Sequence, residues 1–149
     1  MSAKHPVSVL VVVHTARLEV LLLERAARPG YWQSVTGSLE SEDEPPEAAA
    51  ARELREETGI DPAQGRLERW NVANTFEIFA EWRHRYAPGV TRNTEHVFGL
   101  ALPEPVAVVL APEEHLAFEW LPWREAAAKC FSWSNRDAIR MLGENAVTG

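Results

Sequence analysis

Eighteen residues carry most of this chain's charge. Between Glu40 and Glu57 stand eight acids (Glu40, Glu42, Asp43, Glu44, Glu47, Glu53, Glu56, Glu57) and two bases (Arg52, Arg55), so this stretch holds −6 of a formal net charge of −7 over 149 residues. Pro45–Thr58 reads as a helix: the prolines suit a first turn, Ala48–Ala51 propagate it, and Gly59 supplies the stop. On that helix Glu53, Glu56 and Glu57 are three and four residues apart, which puts their carboxylates on one face. Like charges at this spacing cost an isolated helix about 0.2–0.5 kcal/mol per pair. Such a helix either spreads its acids into water or gathers them around a hard divalent cation, which takes several oxygen ligands. Arg52, four residues before Glu56, is placed to hold it by an ion pair and leave Glu53 and Glu57 free to coordinate. Leu54 and the alanines face a core from the other side.

The flanking sequence predicts an α/β fold. Val7–Val13 reads as a buried strand and Val20–Leu23 as its return, with a further short strand over Tyr31–Thr36 that ends at Gly37. Leu67–Val72, Thr75–Trp82, His96–Leu102, Val106–Leu110 and Leu116–Leu121 are strand candidates. A short helix follows Pro122, and a last one starts at Ser134, where Asp137 resembles a capping box. Strands interleaved with two or three helices indicate a mixed sheet in a single domain spanning 1–149. The one cysteine, Cys130, excludes a disulfide framework within the chain and reads as a small buried hydrophobe. The apolar run at Val7 is too short to span a bilayer, and no small-residue cleavage site follows a basic start; a cytoplasmic setting without a membrane partner is expected. Net acidity argues against a nucleic-acid surface.

Read with its flanks, the acidic helix is Gly37-x6-Glu44-x7-Arg52-Glu53-Leu54-x-Glu56-Glu57-x-Gly59-Ile60. It resembles the Nudix box, the loop–helix–loop signature of hydrolases that act on nucleoside diphosphates linked to other moieties. The family pattern has five residues between the glycine and the next glutamate; here there are six, Ser38 to Asp43. Either the loop carries an insertion and Glu44 is the family acid, or Asp43 takes that role on a longer helix. Loops absorb an extra residue more easily than a helix face does, which favours Glu44. Longer stretches, Arg28–Ser38, Phe76–Phe79, Arg83–Glu95, Glu114–Trp120 and Ser132–Arg136, resemble the branch of the family that acts on pterin triphosphates. That resemblance implies an α/β/α sandwich and cleavage of 7,8-dihydroneopterin triphosphate to the monophosphate and pyrophosphate, a step of folate biosynthesis. The alternative within the family is a nucleoside triphosphate pyrophosphatase of the dATP or house-cleaning type. A catalytically silent binding module would have no need to keep the intact Glu53/Glu56/Glu57 set.

The resemblance also implies a third metal carboxylate, Glu114, so the expected metal set is Glu53, Glu57, Glu114 and Glu56, holding Mg2+ with Mn2+ able to substitute. Glu56, or another acid of the cluster, orients or deprotonates the attacking water, and Arg52 positions it. His115 is read as structural rather than as the base. The window Trp82–His96 is locally basic, and arginine forks suit triphosphate oxygens, which singles out Arg85 and Arg92. A pterin presents a flat ring with an amino–N–H edge; Phe76, Phe79 and Tyr86 are candidates for its slot, and Glu77 or Glu95 for the edge acceptor. Trp32, just before the Gly37 loop, is a further candidate for the ring pocket, whereas Trp120, Trp123 and Trp133 are assigned to the core. The stretch Arg83–Glu95 is expected to fold over the site opposite the metal helix.

Overall fold

A strand with an unbroken apolar run, here Val9–Val13, needs cover on both faces. In the computed structural model, which describes residues 3–148, strand β1 (Val7–Thr15) has that cover. Val9, Val11 and Val13 point to one side and pack with Leu21, Leu23, Val35 and Phe98 against Ala49, Ala50 and Leu54 of helix α1 (Pro46–Thr58). Leu10 and Val12 point to the other, where they meet Ala126 and Ala127 of α2 (Trp123–Lys129) and Ala138 and Ile139 of α3 (Trp133–Thr148). The result is three layers, with α1 on one face of the sheet and α2 and α3 on the other.

The remaining strands are β2 (Glu19–Arg25), β3 (Trp32–Gln33), β4 (Val35–Ser38), β5 (Arg66–Glu77), β6 (Arg92–Leu102) and β7 (His115–Pro122). The sheet runs β3-β2-β1-β6-β5, with β4 pairing β1 and β7 pairing β2. The β1–β6 pairing is parallel and the others are antiparallel, which makes the sheet mixed as expected. Parallel register sets Ser8 beside Glu95, and the β5–β6 register sets Phe76 beside Asn93. These four residues therefore share the face that carries α3.

Helix α1 follows its sequence closely. Pro45 is its N-cap and Gly59 ends it at φ 71°, a left-handed conformation that favours glycine. Several elements differ from expectation. Tyr31–Thr36 divides into β3, which pairs β2, and β4, which pairs β1, because Ser34 leaves the ladder and donates its amide to Asn135 Oδ1 (2.8 Å). Leu67–Val72 and the start of Thr75–Trp82 form one strand, β5, with a bulge between Arg69 and Ala73 where Asn71 sits at φ 58°. Residues 80–85 leave the sheet as a 3-10 turn. Val106–Leu110 lies outside the sheet: Val106, Val108 and Leu110 pack on the α1-side core while Val109 is 71% exposed, so its alternation reflects a half-buried loop. The last helix starts at Trp133, and Ser132 rather than Ser134 stands at its cap, with its hydroxyl accepting from the Asn135 amide (3.4 Å). Cys130 is free and buried. Among the described residues no helix is long and apolar enough to cross a membrane.

Candidate active site

The helix α1 carboxylates are sorted by one arginine. Arg52 donates through Nε and Nη2 to the two oxygens of Glu44, 2.9 Å each, a bidentate pair. Its Nη1 donates to Glu53 Oε1 at 2.7 Å, and Nη2 also donates to the Ser38 carbonyl at 3.1 Å. Glu56 is the looser partner at 3.4 Å with a half-exposed side chain, so the expected Arg52–Glu56 pair is secondary to those with Glu44 and Glu53. Glu44 also accepts from the Glu40 amide (2.8 Å), closing the loop before the helix, whereas Asp43 is exposed. Glu44, and not Asp43, is therefore the loop acid that pairs with Arg52. Gly37 is fixed by the same cluster: a Cβ there would collide with the Glu53 side chain.

Glu57 faces inward and is 2% exposed, and neither carboxylate oxygen finds a hydrogen bond of good geometry. Burial, the neighbouring Glu53 carboxyl and Glu114 push its pKa well above the usual range. Ligand atoms of Glu57, Glu114 and His115 lie within 4.8 Å of one another. Glu114, on the loop before β7, is raised by partial burial and then by Glu53, Glu56 and Glu113. His115 Nε2 is 3.6 Å from Glu57 Oε1, and burial with Arg25 nearby lowers the imidazole to about 4, so it is neutral at pH 7. Carboxylates crowded this way, one of them buried without a partner, fit a hard divalent cation better than they fit one another.

Next to this cluster opens a cavity of about 220 Å³. Thr36, Gly37 and Ser38 border it on the side of α1. Its walls are aromatic: Phe76, Phe79, Trp82, Tyr86, Phe131 and Trp133. Phe76 meets Trp133 edge-on at 6.1 Å between centroids, and Phe79 meets Trp82 at 5.0 Å. On the β6 floor stand Asn93 and Glu95, each 5% exposed. Burial pushes the Glu95 carboxyl up to about 7, with the Ser134 hydroxyl as a minor opposing influence. Three cations, Lys4, Arg25 and Arg85, line the cavity as well. Lys4 feels the Glu53 and Glu114 carboxylates as well as Arg85 and Arg25, and Arg25, stacked over the Trp82 ring, feels Glu57, so these two cations are near both the aromatic cavity and the carboxylates.

Phe76, Phe79, Tyr86, Glu77, Glu95, Arg85 and Gly37 thus gather around one cavity. Glu77 is exposed at its rim, 3.9 Å from Arg83 Nη2. The 80–91 segment is tied to the N-terminal residues by the Lys4 amide, which donates to the Arg85 carbonyl (2.7 Å), and Tyr86 lies beside Ser38. Arg92 does not reach the cavity lining; it is exposed at the start of β6, opposite Glu77. Trp32 is also outside it: the ring packs on the α2/α3-side core under Lys129 Nζ, 4.1 Å from its centroid. Trp133, assigned to the core, is 44% exposed and forms a wall. Lys4, Arg25, Trp82, Phe131 and Asn93 were missed. Trp133 and Asn135 sit in the Ser132–Arg136 stretch that carried part of the resemblance, but Lys4 and Arg25 had no local signal because only the tertiary fold brings them together.

The NUDIX domain model matches residues 4–142. The chain belongs to the NUDIX family. Among its Nudix relatives, dihydroneopterin triphosphate diphosphatase of Escherichia coli K12 is 49% identical over 97% of this chain and 96% of its own length. The Haemophilus influenzae protein of the same name is 39% identical over 94% of this chain and 89% of its own. The solved structure of E. coli dihydroneopterin triphosphate pyrophosphohydrolase superposes with a TM-score of 0.89 at 48% identity, covering 97% of this chain and 99% of that one. Arg52, Glu53, Glu56 and Glu57 of α1 and Gly37 of β4 all lie within the matched span.

Proposed function

We propose that this chain is a divalent-metal-dependent pyrophosphohydrolase that cleaves 7,8-dihydroneopterin triphosphate to dihydroneopterin monophosphate and pyrophosphate, working as one domain in the cytoplasm. The observation that carries the reading is an aromatic cavity with buried acceptors on its floor and three cations in its lining, set beside a carboxylate cluster that holds Glu57 buried without a hydrogen-bond partner. Such a combination suits a flat ring that carries a short polyol and a triphosphate. The relatives named for this reaction support it.

Glu57 and Glu114, with Glu53 beside Glu57, would hold Mg2+, or Mn2+ in its place, with Glu56 at the exposed rim. Bound there, such an ion would supply positive charge against the phosphates, a lowered pKa for bound water and stabilisation of the leaving pyrophosphate. The chain's own groups do the rest. Arg52 fixes Glu53 and locks the Glu44 loop. Lys4, Arg25 and Arg85 meet phosphate charge that the carboxylates would otherwise repel. Glu56, exposed and free of a tight partner, orients the attacking water and takes its proton. His115, neutral at pH 7, sits behind Glu57 as a structural neighbour.

The test is a panel of kcat/KM values for dihydroneopterin triphosphate, dGTP and dATP in Mg2+. The pterin substrate is expected to lead. Arg85→Ala should lower all three by similar factors, roughly ten- to a hundredfold, since a charge-assisted phosphate contact contributes about 1.5–3 kcal/mol. A nucleotide that outruns the pterin tenfold would transfer the assignment to a nucleoside triphosphate pyrophosphatase.

A further inference from the structure

The floor of the aromatic cavity carries two unpartnered acceptors whose chemistry differs. Asn93 donates through Nδ2 to Ser8 Oγ (2.7 Å), and its Oδ1 has no partner. Two residues along β6, on the same face, Glu95 is 5% exposed and its Oε1 is also without a partner. Phe76 lies opposite Asn93 across the β5–β6 ladder, and Trp133 and Ser134 come from the start of α3. A ring seated in the cavity against the Phe76 and Trp133 walls would lie over this floor.

We propose that Glu95 reads the edge of the bound ring in two protonation states, so that the pocket takes a donor–donor edge when Glu95 is ionised and a donor–acceptor edge when Glu95 is protonated. This rests on the substrate class proposed above. The chemistry is that of the hydrogen-bonding groups alone. A pterin, like guanine, offers a ring N–H beside an exocyclic amine, and a carboxylate accepts from both. Adenine offers an amine beside a ring nitrogen that can only accept; a protonated carboxyl donates its O–H to that nitrogen and accepts from the amine. Asn93 supplies an acceptor that does not titrate, which leaves Glu95 as the group able to change sense. Burial sets its proton loss at about 7, where both forms are populated at neutral pH.

The charged and titratable groups that line the same cavity are Lys4 ahead of β1, Arg25 of β2, Glu77 of β5, and Arg85 and Tyr86 of the 80–91 segment. From α3 the lining residues are Trp133, Ser134 and Asn135, none of which titrates. None of these five groups is among the causes of the Glu95 shift, which are burial and, opposing it, the hydrogen bond from the Ser134 hydroxyl.

The experiment is calorimetric binding of dAMP and dGMP to the full chain in chelator, which separates the edge reading from hydrolysis. The two ligands share a phosphate, so its ionisation cancels in the ratio of their dissociation constants. One proton of difference between the complexes makes that ratio move about tenfold per pH unit, or about a hundredfold between about pH 6 and about pH 8, with dAMP favoured on the acid side. In buffers of different ionisation enthalpy near pH 7, dAMP binding should take up about one proton more than dGMP binding. Glu95→Gln, whose amide both donates and accepts at every pH, should flatten the ratio. A flat ratio in the unmodified chain, a slope that survives in Glu95→Gln, or failure of both nucleotides to bind would overturn the proposal. If the linkage holds while the pterin triphosphate is not hydrolysed, the proposed function fails and the edge reader stands.

Discussion

Glu95 shows what one buried carboxyl does to a fold as well as to a pocket. Its folded pKa, about 7, lies above the ordinary 4.5, so the unfolded chain gives up that proton first as pH rises. The protein therefore has the full benefit of a neutral Glu95 below about pH 4.5 and loses it progressively up to about pH 7. A shift of that size amounts to about 3 kcal/mol. Urea unfolding of the unmodified chain and Glu95→Gln at pH 5 and at pH 8 should show the difference moving towards the variant by up to about that amount as pH rises. Parallel pH curves would mean that Glu95 is solvated. The carboxylates of α1 differ in kind, because each has like-charged neighbours. Sequence spacing could place Glu53, Glu56 and Glu57 on one face, yet it could not say which of them turns inward. Burial of Glu57 at 2% and exposure of Glu56 follow from how α1 rolls on the sheet, with Ala49, Ala50 and Leu54 setting the angle.

The Gly37 loop and α1 act as one device, and they give two tests at the level of elements. Gly37→Ala would press a methyl group into Glu53. The fold should survive, because β4 keeps its pairing with β1, while turnover falls by about tenfold or more as Glu53 is displaced from Arg52 and Glu57. Unchanged kcat in a folded Gly37→Ala chain would remove Glu53 from the site. Glu57→Gln addresses the metal without an activity assay. In chelator the variant should melt at or above the temperature of the unmodified chain, since a buried acid crowded by other carboxylates can no longer carry charge. Added Mg2+ should raise the melting temperature of the unmodified chain and leave the variant nearly unmoved. Equal Mg2+ shifts in both would place the ion elsewhere. These elements were legible because helix period, glycine stop and charge spacing are local properties. The breaks were tertiary: Ser34 was taken from a strand by Asn135, 101 residues away, and Val106–Leu110 has the alternation of a strand but packs as a loop.

At the scale of the whole molecule, the sheet separates two tasks. Its α1 face carries the carboxylates, its α3 face carries the ring pocket, and the β4 residues Thr36 to Ser38 join them at one end. The motif-bearing half of this site could be read from the chain, because one helix holds it. The cavity could be read only in part. Phe76, Phe79 and Tyr86 lie in stretches that carried the family resemblance, whereas Lys4, Arg25 and Phe131 come from separate regions of the chain and meet only in the folded state. The central claim joins both halves, so its most direct measurement uses both: product analysis of 7,8-dihydroneopterin triphosphate with saturating Mg2+, for the unmodified chain beside Glu53→Gln and Glu57→Gln. The unmodified chain should release one pyrophosphate for each dihydroneopterin monophosphate and stop when the metal is chelated, and both variants should be slower by orders of magnitude while remaining folded. Release of orthophosphate, turnover that persists in chelator, or near-normal rates in both variants would contradict it.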